Sequence, residues 1–278
     1  MLLYRTKDSV MLSYGSVVQA IADDWDALIN HENLAAYLPT LVSEGPQQQH
    51  FVKSNTNEER LAPIGNQEVW AAGVTYYRSR SARIEESQDA GGGTFYDRVY
   101  TAERPELFFK AAPWRVRGPG ALIRTRRDAR WSVPEPELAL CVNSRGTIVG
   151  YTIGNDVSSR DIEGENPLYL PQAKCYDGSC ALGPALFVSE DPLAPGTGIE
   201  LRVTRGGAIA FQGSTTVSEM RRSPQELVEF LYREMSFPHG CILLTGTGVI
   251  PPDEFTLESG DAVDITIPPI GTLSNVVE

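Results

Sequence analysis

Glu135 and Glu137 flank a proline, and Asp156 closes the apolar run that follows, so two neighbouring segments offer three carboxylates. In an extended chain alternate side chains share a face, which lets Glu135 and Glu137 aim at one ion while Pro136 faces away. An all-oxygen set with no nearby His or Cys suits Mg²⁺ or Mn²⁺, which keep positions open for water or substrate oxygens, better than it suits zinc. Taken alone, the same residues also read as two solvated glutamates and a turn aspartate.

Other segments carry chemistry of their own. Lys174 precedes the loop Tyr176-Asp177-Gly178-Ser179-Cys180. Set among apolar neighbours near a cation, its ammonium would be disfavoured, which makes it a proton-transfer group; alone it reads as a surface charge. Leu244-Thr245-Gly246-Thr247-Gly248 is either a plain turn or a loop whose N–H groups and hydroxyls receive an anion. Glu106 stands directly before an apolar strand, as a surface residue or a buried general base. His31, His50 and His239 lie outside these segments, except that His239 precedes the strand leading to Thr245. A Ser-His-Asp or Cys-His arrangement therefore has little to build on.

The elements that must hold these groups are mostly strands. Short apolar runs broken by Gly, Pro and Asn dominate from Leu61 onward. Leu138–Val142 and Thr147–Ile153 read as a hairpin around Asn143–Gly146, and Ile199–Thr204 with Ala208–Phe211 as another. A helix is predicted over 224–236, with Ser223 as cap, Pro224 at its first position and Glu226 closing a capping box. Cys241–Leu244 and Ala262–Ile267 read as strands. Near the N-terminus, Val17, Val18, Ile21, Trp25, Leu28 and Ile29 recur at helical spacing after Ser16, predicting an amphipathic helix over 16–30. Residues 43–60 turn polar and mark a boundary between a small N-terminal domain, 1–60, and a main domain, 61–278. No internal repeat is visible, which excludes propellers and solenoids.

With 278 residues, 41% of them apolar and 22% charged, the chain can bury a full-sized core and is neither disordered nor a membrane chain. A net charge of −12 argues against a nucleic-acid partner. The local basic run Arg124, Arg126, Arg127 and Arg130 reads as a solvated strand or hairpin face. The opening Met-Leu-Leu-Tyr-Arg is too short an apolar stretch for a signal peptide and no run approaches a membrane span, so a cytoplasmic protein is expected. Cys141, Cys175, Cys180 and Cys241 lack C-x-x-C spacing, and the apolar settings of Cys141 and Cys241 predict buried thiols.

Glu135-Pro-Glu137, Gly150-Tyr-Thr-Ile-Gly-Asn-Asp156-Val-Ser-Ser-Arg160-Asp161, Lys174 with Asp177-Gly178-Ser179, Leu182-Gly183-Pro184, Thr245-Gly-Thr-Gly248 and Gly271-Thr-Leu-Ser-Asn275 together resemble the fumarylacetoacetate hydrolase family over roughly residues 65 to 278. The resemblance implies an α+β fold of rolled, mixed, strand-rich sheets, dimers or tetramers, and a divalent metal held by Glu135, Glu137 and Asp156. It implies chemistry on 2-oxo acids, whose carboxylate and keto oxygen chelate the metal so that charge developing on the keto oxygen is stabilised. Thr247, Arg160 and Ser79 would line the substrate pocket.

Departures from the family pattern narrow the activity. Hydrolytic members carry G-x-N-Y-x-x-H, whose histidine activates water; here the stretch reads Gly73-Val-Thr-Tyr76-Tyr-Arg-Ser79. Ser79 without a partner cannot take a proton from water at neutral pH. Ala71 and Ala72 stand where fumarylacetoacetate-cleaving members have a fourth acidic ligand, and Glu163 where many members have Gln. Gly164-Glu-Asn-Pro-Leu-Tyr-Leu-Pro-Gln-Ala-Lys174 and Arg104-Pro-Glu106-Leu-Phe-Phe-Lys110 are most similar to the 2-keto-3-deoxy-pentonate dehydratases. Loss of water needs no activated water nucleophile. The expected reaction is elimination from a 2-keto-3-deoxy sugar acid (D-arabinonate or D-xylonate derived) to 2,5-dioxopentanoate. Lys174 and Glu106 share the acid and base roles in either order. The alternatives are a hydrolase, isomerase or decarboxylase of another 2-oxo acid, such as an acylpyruvate or oxaloacetate, and a silent sugar-acid binder.

Overall fold

The two strands that carry the acidic residues lie inside a ten-stranded sheet, where neighbours on both sides hold their register. The computed structural model describes residues 1–21, 24–42, 60–77 and 98–278. Its large sheet contains β1 (Leu2–Arg5), β2 (Val10–Tyr14), β3 (Val17–Ile21), β4 (Glu68–Gly73), β5 (Glu106–Ala111), β6 (Val116–Arg117), β9 (Pro136–Val142), β10 (Ile148–Asp156), β12 (Cys180–Phe187) and β15 (Cys241–Leu244). The order is β3-β2-β1-β12-β10-β9-β15-β4-β5, with β6 paired to β12. A five-stranded sheet, ordered β14-β13-β16-β17-β7, comprises β7 (Leu122–Ile123), β13 (Gly198–Arg205), β14 (Ala208–Thr216), β16 (Ala262–Ile267) and β17 (Gly271–Val277). The short strands β8 (Ser132–Val133) and β11 (Ser158–Ser159) pair with each other. Short helices α1 (Trp25–Ile29), α2 (Leu34–Tyr37), α3 (Arg160–Glu165) and α4 (Leu170–Lys174) precede the longer α5 (Pro224–Tyr232). Among the described residues no helix is long and apolar enough to cross a membrane.

Alternation along β9 explains its place. Leu138, Leu140 and Val142 enter one apolar core with Leu201, Val203, Ile265 and Leu231, while Ala139 and Cys141 enter a second with Leu3, Leu12, Leu28 and Ile242. With both faces covered, β9 is buried throughout. A slip of one residue would drive Glu137 into the opposite core, so burial of those apolar side chains, about 1.5–3 kcal/mol each, also fixes where the acids point.

Both predicted hairpins form: β9 and β10 pair antiparallel around Asn143–Gly146, and β13 pairs β14 around Gly206-Gly207. In α5 the Ser223 hydroxyl accepts from the Glu226 N–H at 3.1 Å as expected, while the Glu226 carboxylate turns to Arg222. The strand-rich α+β class expected from the sequence is the one observed.

Of the predicted helix over 16–30, only Trp25–Ile29 is helical among the described residues. Val17–Ile21 instead forms β3, paired with β2 across a two-residue turn in which Gly15 takes φ +59°, a conformation open to glycine. Helical structure begins only at Trp25, capped by Asp24, whose side chain accepts from the Ala27 N–H. The β-branched Val17 and Val18 and the Gly15-Ser16 turn outweigh the helical spacing. The basic run is likewise a loop after β7 rather than a strand face: Arg126 pairs with Asp128 and Arg124 with Glu278. Of the polar interval 43–60, residues 43–59 lie outside the described residues. The strands before it join the strands after it directly, through β1 on β12.

Candidate metal and proton-transfer site

The β9–β10 ladder sets Glu137 opposite Gly154 and Pro136 opposite Asn155, which leaves Glu135 and Asp156 at one end of the pair, where the Asp156 N–H donates to the Glu135 carbonyl at 3.0 Å. Glu135 and Glu137 share a face across Pro136, as their spacing requires. One carboxylate oxygen from each of Glu135, Glu137 and Asp156 lies within 4.8 Å of the other two, and all three residues are buried. They line a cavity of about 20 Å³ with Gly73, Val74, Phe108, Arg160, Lys174, Gly246 and Thr247. That is room for about one water-sized occupant. A groove of about 1210 Å³ elsewhere on the chain, lined by Arg5, Arg60, Trp114 and Pro119, includes none of the three acids.

Cations from the helical segment after β11 turn inward. Arg160 opens α3 and gives Nη2 to Glu135 Oε1 at 2.7 Å. Lys174, the last residue of α4, reaches Glu135 Oε2 at 2.7 Å, Asp156 Oδ2 at 3.1 Å and Ser158 Oγ at 2.5 Å, with Glu163 Oε1 at 4.0 Å. The neighbours expected for Lys174 were apolar; those observed are carboxylates, with Phe108 as an aromatic wall 5.7 Å away. Opposite charges at this range favour a cation.

The Thr-Gly loop after β15 does receive a carboxylate, one supplied by the protein itself: Gly246 N–H donates to Glu137 Oε2 at 2.5 Å. Thr245 Oγ1 is spent on the Leu138 carbonyl, and Thr247 Oγ1 makes a local turn with Val249 beside the cavity. Glu106 begins β5 opposite Gly73, and its carboxylate abuts that glycine, so it approaches the cavity through one of the cavity's walls. Ser79 lies outside the described residues. His239 sits 3.8 Å from Asp26 and is not part of the cavity wall.

Two buried groups complete the cluster without having been placed there by sequence. Lys110, fully buried, ion-pairs with Asp156 Oδ1 at 2.5 Å and donates to the carbonyls of Lys174 at 2.6 Å and Val157 at 3.1 Å. Its signal was a charge inside the apolar run Phe108-Phe109-Lys110-Ala111-Ala112. Glu163, one helical turn after Arg160, is also buried; the sequence marked it as a departure from the family but gave it no place.

Electrostatics test the donor set for a metal. Burial pushes the Glu137 carboxyl well above the usual carboxylate range, and Asp156 and Glu135 push it the same way against Lys174 and the Gly246 N–H. Three mutually repelling buried carboxylates, all oxygen donors, are the set that a hard divalent cation fits.

Three comparisons bear on this geometry. The family model described as fumarylacetoacetate (FAA) hydrolase C-terminal matches residues 81–278. A probable 2-keto-3-deoxyxylonate dehydratase of Haloferax volcanii is 51% identical over 217 residues, 77% of this chain and 73% of that protein. A 2-dehydro-3-deoxy-D-arabinonate dehydratase of Saccharolobus solfataricus is 41% identical over 272 residues, 96% and 91% of the two chains. The solved structure of a 2-keto-3-deoxy-D-arabinonate dehydratase complexed with magnesium and 2,5-dioxopentanoate is similar with a TM-score of 0.84 at 36% identity, covering 100% of this chain and 98% of that one.

Proposed function

The chain belongs to the fumarylacetoacetate hydrolase family, and we propose that within it this protein is a magnesium-dependent dehydratase that converts a 2-keto-3-deoxy-pentonate to 2,5-dioxopentanoate. The observation that carries the reading is the buried triad Glu135, Glu137 and Asp156 with Lys174 hydrogen-bonded to two of its members. It is supported by likeness across nearly the whole chain to a dehydratase solved with magnesium and that product.

Glu135, Glu137 and Asp156 would hold the Mg²⁺, with Mn²⁺ an acceptable substitute. When bound, the ion draws charge from the 2-oxo group and makes the neighbouring C3 protons acidic. The rest falls to the protein's own side chains. Glu106, a half-buried carboxylate against the cavity wall, takes a C3 proton. The freed electron pair forms the C3–C4 double bond as the C4–O bond breaks. Lys174, a cation among carboxylates, gives a proton so that the hydroxyl departs as water. Tautomerisation then yields the 5-aldehyde. This ordering rests on geometry: Lys174 is already a hydrogen-bond donor inside the cavity, while Glu106 brings an acceptor carboxylate against its wall. Arg160 and Thr247 face the same cavity and would receive the substrate carboxylate, with Ser79 on the segment that follows Tyr76.

The protein would act in the cytoplasm, which suits four free cysteines, as a homodimer or homotetramer.

Incubating the magnesium-loaded protein with 2-keto-3-deoxy-D-arabinonate and 2-keto-3-deoxy-D-xylonate, and coupling to an aldehyde dehydrogenase, tests the activity directly. Aldehyde formation that stops on chelation is expected. Turnover of oxaloacetate or acylpyruvates with neither sugar acid consumed would replace the reading with that of a tautomerase, decarboxylase or hydrolase.

A further inference from the structure

Asp156 is held between two buried lysines, and they grip different oxygens. Lys174 Nζ lies 3.1 Å from Oδ2, while Lys110 Nζ lies 2.5 Å from Oδ1. Lys110 reaches this place from β5, a strand far from β10 in the sheet order, and neither its side chain nor Asp156 is more than 1% exposed. Bringing an ammonium into such a setting is costly unless it is compensated, and here it donates to two carbonyl oxygens and ion-pairs with a carboxylate. One of those carbonyls belongs to Lys174 itself, at 2.6 Å, and Ser179 Oγ donates to the same oxygen at 2.8 Å. A single buried cation thus fixes one carboxylate of the triad and the backbone of the lysine beside it.

We propose that Lys110 is a positioning residue that keeps Asp156 a one-oxygen ligand. Its contact with Oδ1, 2.5 Å, is closer than that of Lys174 with Oδ2, 3.1 Å, so Oδ2 is the oxygen more readily yielded to an ion, and a coordination position stays open for the 2-oxo acid. The inference rests on the metal-dependent reading above, and it concerns how the site is kept open rather than which substrate is consumed. A carboxylate free at both oxygens can take two positions on one cation, which strengthens metal retention and uses up a position that substrate needs. Lys110 prevents this with a charge that never has to meet the substrate.

The test is Lys110→Met, with Lys110→Gln as a second variant that can still donate to the Val157 and Lys174 carbonyls without carrying charge. Binding of Mn²⁺ alone, and of pyruvate to the Mn²⁺-loaded protein, is measured by calorimetry on variants whose near-ultraviolet circular dichroism matches the parent. With an ammonium removed from beside a ligand, Mn²⁺ is expected to bind about tenfold more tightly and pyruvate about tenfold more weakly, with KM raised in step. A changed Mn²⁺ paramagnetic resonance line shape should accompany the change. Both affinities unchanged, or both weakened together, would overturn the role. Should neither variant fold, the parent protein decides: with ¹³C-labelled aspartate, its metal-induced infrared difference spectrum must show the wide carboxylate splitting of a one-oxygen ligand, and a narrow two-oxygen splitting sinks the proposal. Pyruvate and Mn²⁺ report on the site whichever 2-oxo acid the enzyme turns over, so a wrong substrate assignment leaves this result readable.

Discussion

Gly73 and Glu106 face each other across the last rung of the β4–β5 pair, so close that a Cβ on Gly73 would collide with the Glu106 carboxylate. Glycine at 73 is therefore a requirement for where that carboxylate lies. Gly73→Ala is expected to push the carboxylate off its station with little change in the sheet, because β4 keeps its parallel pairing with β15. A misplacement on the order of 1 Å can lower turnover by about 10²-fold. Steady-state rates on the sugar acid, beside a melting curve, check this: a large fall in kcat with a melting point within a few degrees is the expected result. Parent-like kcat would mean that Glu106 is not the base.

Lys174→Met separates proton transfer from metal binding. The variant loses the ammonium that hydrogen-bonds Glu135, Asp156 and Ser158, while the three carboxylates and the Gly246 N–H that supports Glu137 remain. Turnover should fall by about 10²–10⁴, the usual worth of a positioned acid or base. Mn²⁺ affinity by calorimetry should be at least that of the parent, since a competing cation has been removed. Metal affinity lost together with turnover would assign Lys174 to building the site.

How much of this was legible beforehand differs by residue. The triad could be read because an extended Glu-Pro-Glu fixes two directions from local geometry alone. The hairpins and α5 were legible for the same reason, each carrying its own turn or cap. Lys110 was not, since its partners are 46 to 64 positions away and only the β5–β4–β15–β9–β10 order brings it beneath Asp156. The environment of Lys174 was misread for a related reason. Its neighbours in sequence are largely uncharged, whereas those that matter come from three other segments. At 16–30 the failure was local: apolar residues at helical spacing hid a glycine turn two residues from the strand it starts.

Asp26 ties α1 to the loop entering β4. Its Oδ1 accepts from Gln67 Nε2 at 2.7 Å and from the Asn66 N–H at 3.1 Å, and Oδ2 accepts from Asn66 Nδ2 at 2.5 Å. Burial alone would raise its pKa, but these hydrogen bonds outweigh burial and hold it below the usual value of 3.8. Its stabilisation is thus present above that value and is lost as pH falls through the depressed one. Asp26→Ala should cost about 1 kcal/mol at neutral pH, a low figure because the site is partly open to water. Urea denaturation should show that difference shrinking in acid. Catalysis should be unaffected, since Asp26 lies outside the cavity wall.

Glu137 has the opposite sign. Burial first, then Asp156 and Glu135, raise its pKa well above the usual 4.5. A carboxyl that prefers its proton in the folded state lowers stability as pH climbs from the unfolded value through the folded one, because the folded chain must then give up a proton it holds more tightly. The metal-free protein should therefore lose melting temperature as pH rises from the unfolded carboxyl value through the raised folded one. Magnesium needs the carboxylate form, so its stabilisation should grow over the same interval, approaching about 2.7 kcal/mol at a hundredfold excess over its dissociation constant. Glu137→Gln keeps an oxygen for the Gly246 N–H but cannot titrate or bear charge. That variant should lose both the pH slope and the magnesium effect. Melting curves with magnesium and with a chelator, taken across pH, measure both at once, and a magnesium effect of equal size in parent and variant would remove Glu137 from the ligand set.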